Sequence, residues 1–162
     1  MGDIYDSTNY QPRKSIGALL GRVKVAMMAA LDAELAADRR LAPFELSAAQ
    51  LSVIACLADG ERKSASDLCK GISYDAGAMT RMLDRLEGKG LIRRSRSPED
   101  RRLVHLELTE EGRAAYPRMR ELAFGVANRF LRGFSRAEAR QLEALLGRML
   151  ENAHVDAARE SA

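Results

Sequence analysis

Ser73-Tyr74-Asp75-Ala76-Gly77-Ala78-Met79-Thr80-Arg81-Met82-Leu83-Asp84-Arg85-Leu86-Glu87-Gly88-Lys89-Gly90 runs on into Leu91-Ile92-Arg93-Arg94-Ser95-Arg96-Ser97-Pro98-Glu99-Asp100-Arg101-Arg102. The first part reads as a helix capped by Ser73 and the second as a basic hairpin. At about 100° per residue, Met79, Leu83 and Leu86 fall on one side of the helix and Gly77, Thr80, Arg81 and Asp84 near the other. Small residues near the helix start, then a hydroxyl and a guanidinium, suit a helix that lies deep in a DNA major groove and reaches base edges. Bulky outward side chains would block that approach.

Working outward from this stretch, Ser47 with Gln50 and Ser64 with Asp67 read as capping boxes for two shorter helices, the first with an apolar face of Leu51, Ile54, Ala55 and Leu57. After Gly90, Leu91 and Ile92 lead into a strand, Ser97 to Asp100 make a turn, and Val104, Leu106 and Leu108 alternate along a second strand to cover the core. Three short helices followed by a hairpin make a winged helix-turn-helix over residues 45–108. Before it, Ile16, Leu19, Leu20, Val23, Met27, Ala30, Leu31 and Leu35 repeat at helical spacing within 14–40, and Pro43 marks a break.

After the hairpin, Thr109 with Glu110 and Glu111 opens a helix that Pro117 is expected to bend, and Ser135 with Glu138 caps a last one bearing Leu142, Leu145, Leu146, Met149 and Leu150. The long helices of 14–40 and 109–155 exceed what a small winged helix needs for cover. Their apolar stripes read as a dimer interface, because apolar surface left in water costs roughly 25 cal/mol per Å². Residues 1–13 and 156–162 read as polar tails. The fold class is mainly α with a small β-hairpin.

Composition limits the alternatives. A chain of 162 residues supports one compact domain without staples, and no apolar run approaches a membrane span, so the expected compartment is the cytoplasm. Two cysteines, Cys56 and Cys69, and two histidines, His105 and His154, offer neither a zinc framework nor a nucleophile and base set, and no phosphate-cradling glycine loop is present. No cofactor, no metal and no enzyme activity are expected. The formal charge is only +3, but eleven Lys/Arg face six Asp/Glu between Arg62 and Arg102, leaving fifteen against seventeen elsewhere. The basic excess belongs to the helix and hairpin.

Asp75-Ala-Gly-Ala-Met-Thr-Arg-Met-Leu-Asp-Arg-Leu-Glu followed by Lys89-Gly-Leu, then Pro98-Glu-Asp-Arg-Arg and Leu106-x-Leu-Thr-Glu-Glu-Gly, resembles the signature of MarR-type transcriptional regulators over roughly residues 45–113. The resemblance implies a dimeric winged-helix repressor, often released from double-stranded DNA by a small aromatic or phenolic ligand. It also implies that Arg102 enters or borders the minor groove while Asp100 orients an arginine of the wing, with Arg101 beside them.

From the residues themselves, Thr80 and Arg81 are candidates for base or phosphate contact. Asp75, Ala76 and Gly77 sit where helix amides favour a phosphate, although Asp75 equally suits capping its own helix. Arg85 could meet phosphate or pair with Asp84 or Glu87, and Arg94 and Arg96 are further backbone candidates. By the resemblance, an effector would lodge between the long helices and the DNA-binding lobe near Leu20, Arg22, Lys24, Met27 and Met79, residues that otherwise serve as core or solvated charge. Two alternatives compete: redox sensing through Cys69 beside Lys70, and a winged-helix adaptor for proteins. Peroxide-sensing relatives carry a cysteine near the start of the first long helix, where this chain has none.

Overall fold

A computed structural model describes residues 3–58, 64–72, 75–96 and 104–160. Its elements are α1 (Ile16–Ala37), a 3-10 turn (Ala42–Phe44), α2 (Ala48–Ala58), α3 (Ala65–Ile72), α4 (Ala76–Gly88), β1 (Ile92–Arg96), β2 (Val104–Leu108), α5 (Glu110–Phe130) and α6 (Arg136–Glu160). The strands pair antiparallel, Ile92 opposite Leu108 and Arg96 opposite Val104. Three helices and a two-stranded hairpin in this order form a winged helix-turn-helix. The chain divides into two compact units, Met1–Val126 and Ala127–Ala162.

Capping chemistry sets most element starts. In α2 the Ser47 amide donates to Gln50 Oε1 at 3.1 Å and the Gln50 amide to Ser47 Oγ at 3.3 Å. The Ala48 amide donates to Asp32 Oδ1 of α1 at 2.6 Å, which ties the two helices together. The Ser64–Asp67 and Ser135–Glu138 boxes form in the same way. Thr109 Oγ1 accepts from the Gly112 amide at 3.0 Å at the head of α5. Pro117 is accommodated inside an unbroken α5.

Differences from the sequence reading lie at element ends. Of the two caps offered for α4, Asp75 fills the role, its Oδ1 accepting from the Ala78 amide at 2.8 Å, while Ser73 lies outside the described residues. A carboxylate at the positive end of a helix gains from the dipole as well as the hydrogen bond. Val104 is 41% exposed, so only Leu106 and Leu108 of the three alternating strand residues close the core. Part of the polar N-terminal tail is folded: Asp6 Oδ1 accepts from the Thr8 and Asn9 amides, and Tyr5 meets Tyr10 edge-on at 5.3 Å.

The core of the first unit gathers Leu35 and Leu41, then Leu51, Val53, Ile54 and Leu57 of α2, Leu68 of α3, and Met79, Leu83 and Leu86 of α4. Leu46, Leu91, Ile92, Leu106, Leu108 and Met119 complete it. By contrast Ile16, Leu19, Leu20 and Val23 in α1 are exposed, and so are Leu142, Leu145, Met149 and Leu150 in α6. No helix among the described residues is long and apolar enough to cross a membrane.

Candidate nucleic-acid interface

The core claims one side of α4 completely, with Met79, Leu83 and Leu86 each at most 1% exposed. That burial fixes the rotation of the helix and turns Asp75, Ala76, Gly77, Thr80, Arg81, Asp84 and Arg85 to the surface. At its start the Asp75 cap satisfies the Ala78 amide, and the first amides of the helix, those of Ala76 and Gly77, precede the first intrahelical hydrogen bonds. Thr80 Oγ1 donates to the Ala76 carbonyl at 2.8 Å, keeping its lone pairs available as acceptors.

The end of α4 is held as tightly. Gly90, at φ +71°, turns the chain: its amide donates to the Glu87 carbonyl at 2.9 Å and the Leu91 amide to the Leu86 carbonyl at 3.1 Å. Lys89 Nζ then donates to the Glu45 carbonyl at 2.7 Å and to Gln50 Oε1 at 3.2 Å. Burial pushes this ammonium's pKa down, with Glu45 opposing. Sequence reasoning missed this bolt, since nothing local joins Lys89 to residues some forty positions earlier.

Arg81 and Arg85, one turn apart, line a hollow of about 350 Å³ with Ala78, Met82, Lys89, Glu45, Ser47 and Gln50. Neither arginine forms an ion pair among the described residues. The carboxylates considered as partners for Arg85 are occupied instead by Arg94: Nη2 reaches Asp84 Oδ1 at 2.7 Å and Nη1 reaches Glu87 Oε2 at 2.6 Å. The Asp84 hydrogen bond, aided by Glu87, raises the guanidinium's pKa further above the physiological range. Arg94 thus faces carboxylates, unlike the exposed Arg96 at the strand end. Period-two alternation carried the signal for this: Arg94 shares the face of Ile92 and stands opposite Leu106.

Asp100, Arg101 and Arg102 lie outside the described residues. The effector candidates are not brought together. Met79 is wholly buried in the core, which removes it from any open cleft. Leu20, Arg22 and Lys24 are exposed on α1 and Met27 is half-buried. Arg22 donates to the Arg13 carbonyl at 3.2 Å and borders an open hollow of about 640 Å³ with Pro12, Arg13, Ala18 and Gly21. Cys56 is a half-buried free thiol against the core, and Cys69 falls within α3. No cluster of three or more His, Cys, Asp or Glu able to hold a metal occurs among the described residues.

The MarR family pattern matches residues 46–104, which contain the whole helix-turn-helix and the hairpin up to the first residue of β2. PecS of Dickeya dadantii, a helix-turn-helix transcriptional regulator, is 32% identical over 145 residues, 86% of this chain and 81% of its own length. The chain belongs to the MarR family of transcriptional regulators. Its match to YdgJ of Bacillus subtilis, at 34% identity, spans 66% of this chain and 65% of that one. Its match to MarR of Escherichia coli, at 40% identity over 74 residues, spans 46% of this chain and 51% of MarR.

Among solved structures, BpsR of Bordetella bronchiseptica, whose DNA binding is regulated by 6-hydroxynicotinic acid, has a TM-score of 0.74 at 28% identity, covering 86% of this chain and 96% of that one. An E. coli MarR variant complexed with operator DNA has a TM-score of 0.72 at 30% identity, covering 83% and 93%. The MarR-type winged helix is therefore the fold of this chain.

Proposed function

We propose that this MarR-family protein is a homodimeric repressor of a pseudo-palindromic operator, with half-site centres about one helical turn apart, and that a small aromatic or phenolic ligand releases it. The observation that carries the DNA-binding reading is the outer face of α4, where Ala76, Gly77, Thr80, Arg81 and Arg85 are exposed while the opposite face is locked in the core. On this reading the Ala76 and Gly77 amides meet phosphate behind the Asp75 cap, Thr80 and Arg81 read base edges, and Arg85 and Arg96 meet the backbone. Asp100, Arg101 and Arg102 serve the minor groove from the wing.

The exposed apolar faces of α1 and α6 support a second copy as partner. Effector control draws support from BpsR and its regulation by 6-hydroxynicotinic acid. The chain's contribution to that site falls to Leu20, Arg22, Lys24 and Met27, without Met79. The test is binding of the purified protein to DNA from its own upstream intergenic region, titrated first with salt and then with aromatic acids and phenols. Tight, salt-sensitive binding relieved by one compound is the expected result. Absence of specific binding would overturn the reading in favour of a protein adaptor; binding that no compound relieves would remove the aromatic effector.

A further inference from the structure

The hairpin must leave α4 at a fixed angle if the helix and the wing are to meet one DNA duplex together, and apolar packing does not hold its distal half alone. Val104, at the far end of β2, is 41% exposed, and a hollow of about 430 Å³ lies between the wing and the helices, lined by Ala65, Thr80, Leu83, Asp84, Arg94, Val104 and Leu106. Across this gap the tie is polar. Arg94 Nη2 and Nη1 grip Asp84 and Glu87 at 2.7 and 2.6 Å, and the Arg94 backbone amide donates to Glu87 Oε1 at 3.2 Å. Asp84 and Glu87 stand three residues apart, so one planar guanidinium spans nearly a turn of the helix, while Glu87 holds the strand by both main chain and side chain.

We propose that Arg94 is a positioning residue for operator recognition: gripped by Asp84 and Glu87, it sets the angle of the wing on the recognition helix and touches no DNA itself. This rests on the DNA-binding reading above. Charge arithmetic separates it from a direct contact. If Arg94 met phosphate, removing Glu87 would free the arginine and delete a negative charge beside the DNA, so binding would tighten. If Arg94 is a clamp, removing Glu87 loosens the wing and binding weakens.

The experiment compares Glu87→Ala, Arg94→Ala, Arg94→Lys and the Glu87→Ala/Arg94→Ala double variant with the parent. The probe is a duplex that the parent selects from a random-sequence pool. Each single variant is expected to bind about fivefold more weakly, the double no worse than the Arg94 single, and lysine not to rescue, because it lacks the fork. The slope of log affinity against log salt stays at the parent's value. Amide hydrogen exchange, read without DNA, quickens across residues 92–96. Tighter or unchanged binding by Glu87→Ala, a slope reduced by about 0.9 in Arg94→Ala as for one lost phosphate contact, or unchanged hairpin exchange would each overturn the clamp. Failure of the parent to select any duplex would sink the DNA-binding reading instead, and the exchange result would still decide whether the clamp holds the wing.

Discussion

Gly112 occupies a position where a single methyl group has no room, since a Cβ there would overlap the carbonyl oxygen of Leu91. That same carbonyl accepts from the Thr109 amide at 3.1 Å, so backbone meets backbone where the wing passes the head of α5. Gly112→Ala is expected to cost about 2 kcal/mol or more, because neither main chain can swing aside as a side chain would. Urea unfolding checks this, with Gly88→Ala as control, since a Cβ at Gly88 meets nothing within 4 Å. A second residue-scale prediction concerns Asp38, whose carboxylate accepts from Arg118 Nε at 2.7 Å and from the Arg40 and Leu41 amides. The Arg118 hydrogen bond, foremost, holds its pKa below the ordinary value of 3.8. The folded state therefore gives up this charge only at lower pH than the unfolded chain. Its stabilisation is fully present above the ordinary value and is lost as pH falls through the lowered one. The stability gap between the parent and Asp38→Asn should hold steady above the ordinary carboxylate value and close as pH falls through the lowered one; a gap independent of pH would show that the ion pair contributes nothing.

At the scale of elements, start and stop signals were the most legible part of the chain. Ser47 with Gln50, Ser64 with Asp67 and Ser135 with Glu138 cap α2, α3 and α6 because the hydroxyl and the acid or amide three residues on satisfy each other's amides within one turn. For α4 the sequence offered Ser73 and Asp75 as caps, two residues apart and both good acceptors, and Asp75 fills the role. It matters because Asp75 was also a DNA candidate. Asp75→Ala should lower stability by about 1 kcal/mol and loosen the first turn of α4 in hydrogen exchange. Asp75→Ser keeps a capping oxygen and drops the charge, so operator binding should hold or improve; weakened binding by a stable serine variant would give the carboxylate a direct role at the DNA.

Taken whole, the single chain leaves Ile16, Leu19, Leu20 and Val23 of α1 between 37% and 48% exposed, and Leu150 of α6 64% exposed. A monomer would carry these stripes in water, against roughly 25 cal/mol per Å². Leu19→Glu/Val23→Glu should therefore shift the protein toward monomer in sedimentation. The core of the first unit, around Ile54 and Met79, should stay intact by circular dichroism. Operator affinity should fall by about a hundredfold or more, since a single winged helix loses the gain of binding two half-sites at once. Unchanged sedimentation would remove α1 from the proposed dimer surface.

Local chemistry determined what could be read from the residues in order: the helices through their period, their ends through caps and glycines, the recognition helix through the contrast between Met79, Leu83 and Leu86 and the small or basic residues opposite. Those signals act within a turn or two of chain, so one sequence displays them. The tertiary structure alone decided which charges are free. Arg94 and Arg96 are two residues apart on one strand and alike in the sequence, yet only Arg94 meets Asp84 and Glu87, because the strand packs back over α4. Lys89, given no role in the sequence reading, is a half-buried bolt onto Glu45 and Gln50. Met79 looked adaptable enough for a ligand and is enclosed on every side. Long-range packing assigns such partners, and a charge or a methionine carries no mark of its partner until the elements have closed around it.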